Sequence, residues 1–137
     1  LPRPDYVVDA IDTVSQKLVL AQWCQDRDIP LISSMGGGNK LDPTRLRFAR
    51  IERTSGDPLA RTVRKECRRR GVRGLEVLYS DERPREPEGK VQAIDEAGLV
   101  REGASILGTM SYMPPIMGQM IAGRVICRLA DLTWENA

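Results

Sequence analysis

Residues 5 to 35 constrain the fold more than any other part of the chain. A short apolar run, Tyr6 to Val8, precedes two aspartates three positions apart, Asp9 and Asp12. That run is long enough for a buried strand and too short for a helix. Val14, Leu18, Ala21 and Trp23-Cys24 then fall on helical spacing as far as about Arg27, with Leu18 to Ala21 apolar almost all round. The spacing predicts a well-covered helix. Pro30 biases Ile29 away from the helical region and ends it. Leu31-Ile32-Ser33-Ser34-Met35 supplies the next strand, which completes a β-α-β unit and sets the class as α/β. A parallel strand needs a neighbour, usually brought by a crossover unit. None is encoded before Tyr6, and the chain opens on Leu1 rather than methionine. It is therefore expected to be the later part of a longer protein.

The two aspartates stand where the first strand ends. Ligands of open α/β sheets sit outside the carboxyl ends of the strands, and one or two carboxylates with substrate phosphates suit Mg²⁺. Asp12 also has the profile of a plain helix N-cap, with Asp9 solvated or bonded to a turn. After the second strand, Gly36-Gly37-Gly38-Asn39 permits a sharp turn and close approach to a ligand. It has neither the dinucleotide nor the P-loop spacing, so a simple flexible turn fits it equally.

Asp42-Pro43-Thr44 marks a turn. Leu46, Phe48 and Ile51 suggest an antiparallel strand with Arg45, Arg47 and Arg50 on or near its wet side. Asp57-Pro58 starts a helix, aspartate as cap and proline at its first position, and Gly71 stops it. Leu59, Val63 and Cys67 make its apolar stripe. Arg61, Arg64, Lys65, Arg68, Arg69 and Arg70, opposed only by Glu66, make a local field that favours phosphates. A solvated helix face, helped by the dipole at its last turn, explains the same residues without a partner. Leu75 to Tyr79 reads as a strand. Residues 80–102, charged and broken by prolines, read as a long mobile loop. A methionine-rich helix closes the chain, with apolar residues at 117, 121, 125 and 129 for burial against the sheet or in a dimer interface.

Composition removes several classes of chemistry. The 137 residues carry a net charge of only +2, so nucleic-acid binding must come from local clustering. There is no histidine, and Cys24, Cys67 and Cys127 are widely spaced. That argues against a zinc site, a disulfide framework and a histidine base. It also favours a reduced, cytosolic setting. No apolar run reaches membrane length.

Four stretches, taken in order, resemble one family. They are Val8-Asp9-Ala10-Ile11-Asp12 with Lys17; Met35-Gly36-Gly37-Gly38-Asn39-Lys40-Leu41-Asp42-Pro43-Thr44; Thr54-Ser55-Gly56-Asp57-Pro58-Leu59-Ala60-Arg61; and Val77-Leu78-Tyr79-Ser80-Asp81-Glu82-Arg83-Pro84. The helix start from Met113 to Gly118 also fits. Together they look like the tRNA threonylcarbamoyladenosine dehydratases of the ThiF/MoeB-type, ubiquitin-activating-enzyme-like superfamily. The Asp-x-x-Asp element is superfamily-wide, whereas the Asp-Pro-Leu-Ala-Arg helix is more specific to the dehydratases.

The resemblance implies the C-terminal half of a Rossmann-like mixed sheet: a β-α-β unit, antiparallel strands and two helices. It also implies a cytoplasmic, homodimeric enzyme that uses ATP and Mg²⁺ to adenylate and cyclise threonylcarbamoyladenosine beside the tRNA anticodon. Asp12 matches the aspartate that binds Mg²⁺·ATP, Asp9 would support its loop, and Lys17 would neighbour the phosphates. Gly36, Gly37 and Gly38 would line the adenylate or substrate side. The basic residues of 61–70 become tRNA-backbone contacts. The family's glycine-rich ATP loop, ribose-binding acid and catalytic arginine belong to an N-terminal half absent from these residues. The chain alone is therefore expected to be inactive and to expose an unpaired strand edge that invites dimerisation or aggregation.

Two other readings compete. An adenylyltransferase for a ubiquitin-like sulfur carrier would carry paired CxxC motifs or a mobile-loop cysteine, and this chain has neither. A non-catalytic RNA-binding or dimerisation module would use residues 61–70 as its working surface.

Overall fold

The computed structural model describes residues 2–86, 93–94, 100–101 and 108–132. Four strands form one mixed sheet in the order β1-β2-β4-β3: β1 (Val7–Asp9), β2 (Leu31–Ser34), β3 (Leu46–Arg50) and β4 (Glu76–Ser80). β1, β2 and β4 run parallel, while β3 pairs antiparallel to β4 with Phe48 opposite Leu78. The mixed α/β sheet, the β-α-β opening and the antiparallel pair are as the residue pattern predicts.

Helix α1 (Val14–Gln25) and helix α2 (Pro58–Arg70) cover one face. Their Leu18, Ala21, Ala60, Val63 and Cys67 pack with Val77 and Tyr79 into the larger core. Helix α3 (Met113–Leu129) covers the other face, where Met113, Met117 and Ile121 pack on Ile32, Leu46 and Leu78. Fully burying each such side chain contributes about 1.5–3 kcal/mol. No helix among the described residues is long and apolar enough to cross a membrane.

Several local expectations need correction. Asp12 is not the cap of α1: the cap position is Thr13, and its side chain makes no capping bond. α1 is not covered all round either, because it meets the sheet and α2 on one side and leaves the other to solvent. Val19 is 56% and Trp23 38% exposed, with Arg27 over the Trp23 ring at 4.7 Å. The apolar stripe of α3 is buried only as far as Ile121; Leu129 has run past the sheet and is 57% exposed. Ile51 begins a 3₁₀ turn (Ile51–Arg53) instead of ending β3. Cys24 and Cys67 are buried, and Cys127 is half-buried.

Residues 80–86, the start of the expected mobile loop, make long-range contacts with the body of the domain. Asp81 pairs with Arg45 at 2.6 Å, and Glu82 is buried. Between them and α3, β5 (Ala93–Ile94) pairs antiparallel with β6 (Val100–Arg101). The remainder of that expected loop lies outside the described residues.

Candidate functional site

The carboxyl ends of β1, β2 and β4 meet along one edge of the sheet, and the two aspartates of the opening motif part company there. Asp9 is the last residue of β1 and is 1% exposed. Its Oδ2 accepts from Ser33 Oγ at 2.5 Å and from Lys17 Nζ at 3.1 Å. Its Oδ1 accepts the Ile11 amide at 2.8 Å. Lys17 reaches back from the first turn of α1, is 2% exposed, and also donates to the Ser34 carbonyl at 2.8 Å. Charges taken out of water must be paired and hydrogen-bonded, and here each ion satisfies the other. Both side chains are thus bonded within the domain, and Asp9 holds the following loop through the Ile11 amide. Asp12 lies three residues on, exposed, in the loop that the Asp9–Ile11 bond fixes.

The glycine loop follows β2. Gly36, Gly37 and Gly38 are half-buried, and Gly37 lies beneath the start of α3. A Cβ added at Gly37 would stand 2.9 Å from Met113 Cγ and 3.2 Å from Met117 Sδ. Close packing, rather than flexibility, is what glycine provides at this position.

The next residues hold the loop from three sides. Asn39, with φ 59, donates its amide to the Gly108 carbonyl at 2.7 Å and accepts the Gly108 amide on Oδ1 at 2.8 Å. Its own carbonyl accepts the Arg85 amide at 2.8 Å. Lys40 is 1% exposed, with Nζ bonded to Asp57 Oδ1 at 2.5 Å and to the Ser80 carbonyl at 2.9 Å. Glu82 Oε2 accepts the Leu41 and Asp42 amides at 3.0 and 2.9 Å. Tyr112 closes the set by donating to the Leu41 carbonyl at 2.7 Å. Residue reading did not single out Asn39, Lys40, Glu82 or Tyr112. Lys40 and Glu82 do lie inside the stretches that carry the family resemblance, which was the available signal.

Helix α2 behaves as its sequence indicates. Asp57 caps it by accepting the Ala60 amide, Pro58 occupies its first turn, and Gly71 terminates it with φ 73. Its basic residues divide into two groups. Arg64 is half-buried and donates to the Thr54 carbonyl and hydroxyl, both at 2.7 Å, and Arg69 pairs with Glu66 at 2.8 Å. Arg61, Lys65, Arg68, Arg69 and Arg70 are exposed, Arg69 with its Glu66 pair facing solvent.

No group of three or more histidine, cysteine, aspartate or glutamate side chains among the described residues could hold a metal ion. A cleft of about 700 Å³ lies at the opposite end of the sheet, between the starts of β2 and β4 and the end of β3.

No protein-family model matches the chain. It is 42% identical over 129 residues to the tRNA threonylcarbamoyladenosine dehydratase of Bacillus subtilis, covering 91% of this chain and 50% of that protein. It is 33% identical over 144 residues to tRNA threonylcarbamoyladenosine dehydratase 2 of Saccharomyces cerevisiae, covering 96% of this chain and 32% of that one. The chain thus spans about half the length of the bacterial relative and about a third of the yeast one. Among solved structures it matches an E. coli tRNA N6-threonylcarbamoyladenosine dehydratase, TcdA, at 31% identity and TM-score 0.54, over 59% of this chain and 37% of that one. The same enzyme in complex with ATP superposes with TM-score 0.61 at 23% identity, over 90% of this chain and 50% of that one, a likeness of fold. Over the part of those relatives that it spans, the chain belongs to the tRNA threonylcarbamoyladenosine dehydratase family.

Proposed function

We propose that this chain forms one wall of the adenylating site of an ATP-dependent tRNA-modifying enzyme, which cyclises threonylcarbamoyladenosine beside the anticodon. The observation that carries the proposal is the division of labour between the two aspartates: Asp9 is sealed in a buried ion pair, and Asp12 is presented in the open at the strand mouth. A carboxylate held by a rigid loop at the carboxyl edge of a parallel sheet suits a metal–phosphate contact.

In this reading Asp12 is the Mg²⁺ ligand and the catalytic residue this chain contributes. Bound Mg²⁺ would offset charge on the ATP phosphates. Asp9 and Lys17 are positioning residues, fixing the loop through the Ile11 amide. Gly36, Gly37 and Gly38 line the substrate side, held by Lys40, Glu82 and Asn39. The threonyl carboxylate oxygen attacks the α-phosphorus and pyrophosphate leaves. An atom within the modification then attacks the acyl carbon, the ring closes and AMP departs. Tethering makes that second step effectively unimolecular. No cysteine nucleophile is required, which agrees with the burial of Cys24 and Cys67. Arg61, Lys65, Arg68, Arg69 and Arg70 contact the tRNA backbone, with Arg64 behind them in its bonds to Thr54. The chain alone is inactive, and a cytoplasmic, homodimeric enzyme belongs to the same proposal.

ATP–pyrophosphate exchange by the full-length gene product in the presence of substrate tRNA tests this. Asp12→Asn should reduce exchange at least a hundredfold, or about 2.7 kcal/mol in the barrier, with an unchanged melting curve. Exchange at the parental rate would refute the assignment.

A further inference from the structure

We infer that the RNA contact continues beyond the end of α2 into the arginine-lined cleft at the base of the sheet, so that a phosphodiester backbone is held along the full height of the domain. The inference rests on the proposal that α2 faces RNA.

Helix α2 joins the two edges of the sheet. At its start, Asp57 bonds Lys40, which bonds the Ser80 carbonyl at the carboxyl end of β4. At its finish, Gly71 and the following turn lead to Glu76, where β4 begins. Thirteen residues at 1.5 Å each span about 20 Å. Arg61, Lys65 and Arg68, at helical spacing, share the face turned away from the core. Their line points at the cleft.

The cleft is lined by four arginines, at positions 50, 73, 124 and 128, against two carboxylates, Asp28 and Glu76. Glu76 pairs with both Arg124 and Arg128. Arg50 and Arg73 are exposed, and Arg50 commits one nitrogen to the Gly74 carbonyl at 3.0 Å. Four arginines against two carboxylates leave the cleft a net charge of about +2, and Arg50 and Arg73, the two that do not pair with Glu76, stand on the path leaving α2.

A strand of phosphates fits these groups better than one compact anion does. The cations are strung over about 20 Å instead of converging on a point. The one aromatic ring among the lining residues is Phe48, and the Arg124 guanidinium already lies 4.9 Å from its centre. Stacking of bases has no open platform there, so recognition is of the backbone and independent of sequence.

Fluorescence anisotropy of a labelled anticodon stem-loop RNA, titrated with the full-length gene product across a salt series, tests the inference. Two variants are compared with the parent: Arg61→Gln/Lys65→Gln/Arg68→Gln on the helix, and Arg50→Gln/Arg73→Gln in the cleft. Both should weaken binding, and each should flatten the plot of log affinity against log salt by about 0.7 for every phosphate no longer neutralised. Weakening by the helix variant alone would overturn the cleft contact and leave the helix reading standing. No change in either would end both. If loss of the Arg50–Gly74 bond lowers the melting temperature, Arg73→Gln alone decides, because the local bond of Arg73 is made by its backbone amide to Gln25.

Discussion

Lys40 Nζ lies 2.5 Å from Asp57 Oδ1, and the other oxygen of that carboxylate caps α2 by accepting the Ala60 amide at 2.7 Å. One aspartate thus starts the basic helix and neutralises the lysine that follows the glycine loop. Both groups are buried, so removing either partner strands a charge in the interior. Asp57→Ala should cost about 3–5 kcal/mol for the uncompensated lysine, with a further 0.5–2 kcal/mol or so for the missing cap. Urea unfolding measures it; a loss below about 1 kcal/mol would mean that the pair is hydrated and replaceable.

The Asp9–Lys17 pair should behave alike, with a signature that separates pairing from burial. Lys17→Met leaves Asp9 charged and enclosed, at a cost of about 3–5 kcal/mol. Adding Asp9→Asn removes that charge and should restore part of the loss, since replacing both members of a buried pair is often near neutral. A double-mutant cycle reads the coupling directly. Strictly additive losses would contradict a paired arrangement.

Two glycines in the family-like stretches should respond differently to alanine. At Gly56, φ is 75 and an added Cβ would stand 2.9 Å from the Asp81 carbonyl oxygen, which is backbone and cannot move aside. At Gly37 the obstruction is a pair of methionine side chains, which can change rotamer. Gly56→Ala should therefore lower the melting temperature more than Gly37→Ala, whose cost should stay near about 1–2 kcal/mol. The reverse order would show that the methionine contact is the stiffer of the two.

Burial pushes the Cys67 thiol up to about 11, from an ordinary value of 9.0, with Glu52 adding to the effect. The folded chain then holds this proton to higher pH than the unfolded chain does. The resulting stability is complete below about pH 9 and is lost as pH rises toward 11. Native Cys67 should resist thiol reagents at about pH 8, while the half-buried Cys127 reacts first. Mass-mapped alkylation checks the order; rapid labelling of Cys67 in the folded protein would contradict its packing.

Much of the frame is legible in the residues because local signals and tertiary need agree. The apolar runs around Val7 and Ile32, with Pro30 between them, specify a β-α-β unit. Asp57, Pro58 and Gly71 delimit α2 almost to the residue. What stays hidden is long-range. Lysine normally reads as solvated, and nothing at position 17 or 40 announces an aspartate eight or seventeen residues away in a dry interior. Asp12 looks like a cap because it precedes a helix, yet Thr13 takes that position. Glu82 sits in a charged, proline-broken stretch, and its burial depends on two amides forty residues earlier in the chain.

Asp12, set in the open by the buried Asp9–Lys17 pair, is the residue on which the proposed adenylation chemistry turns. Mass spectrometry of tRNA nucleosides from cells that carry the full gene with Asp12→Asn, beside cells with the intact gene, tests its role most directly. The variant should accumulate uncyclised threonylcarbamoyladenosine, while the intact gene yields the form lighter by one water. Undiminished cyclised nucleoside from the Asp12→Asn strain would contradict that role.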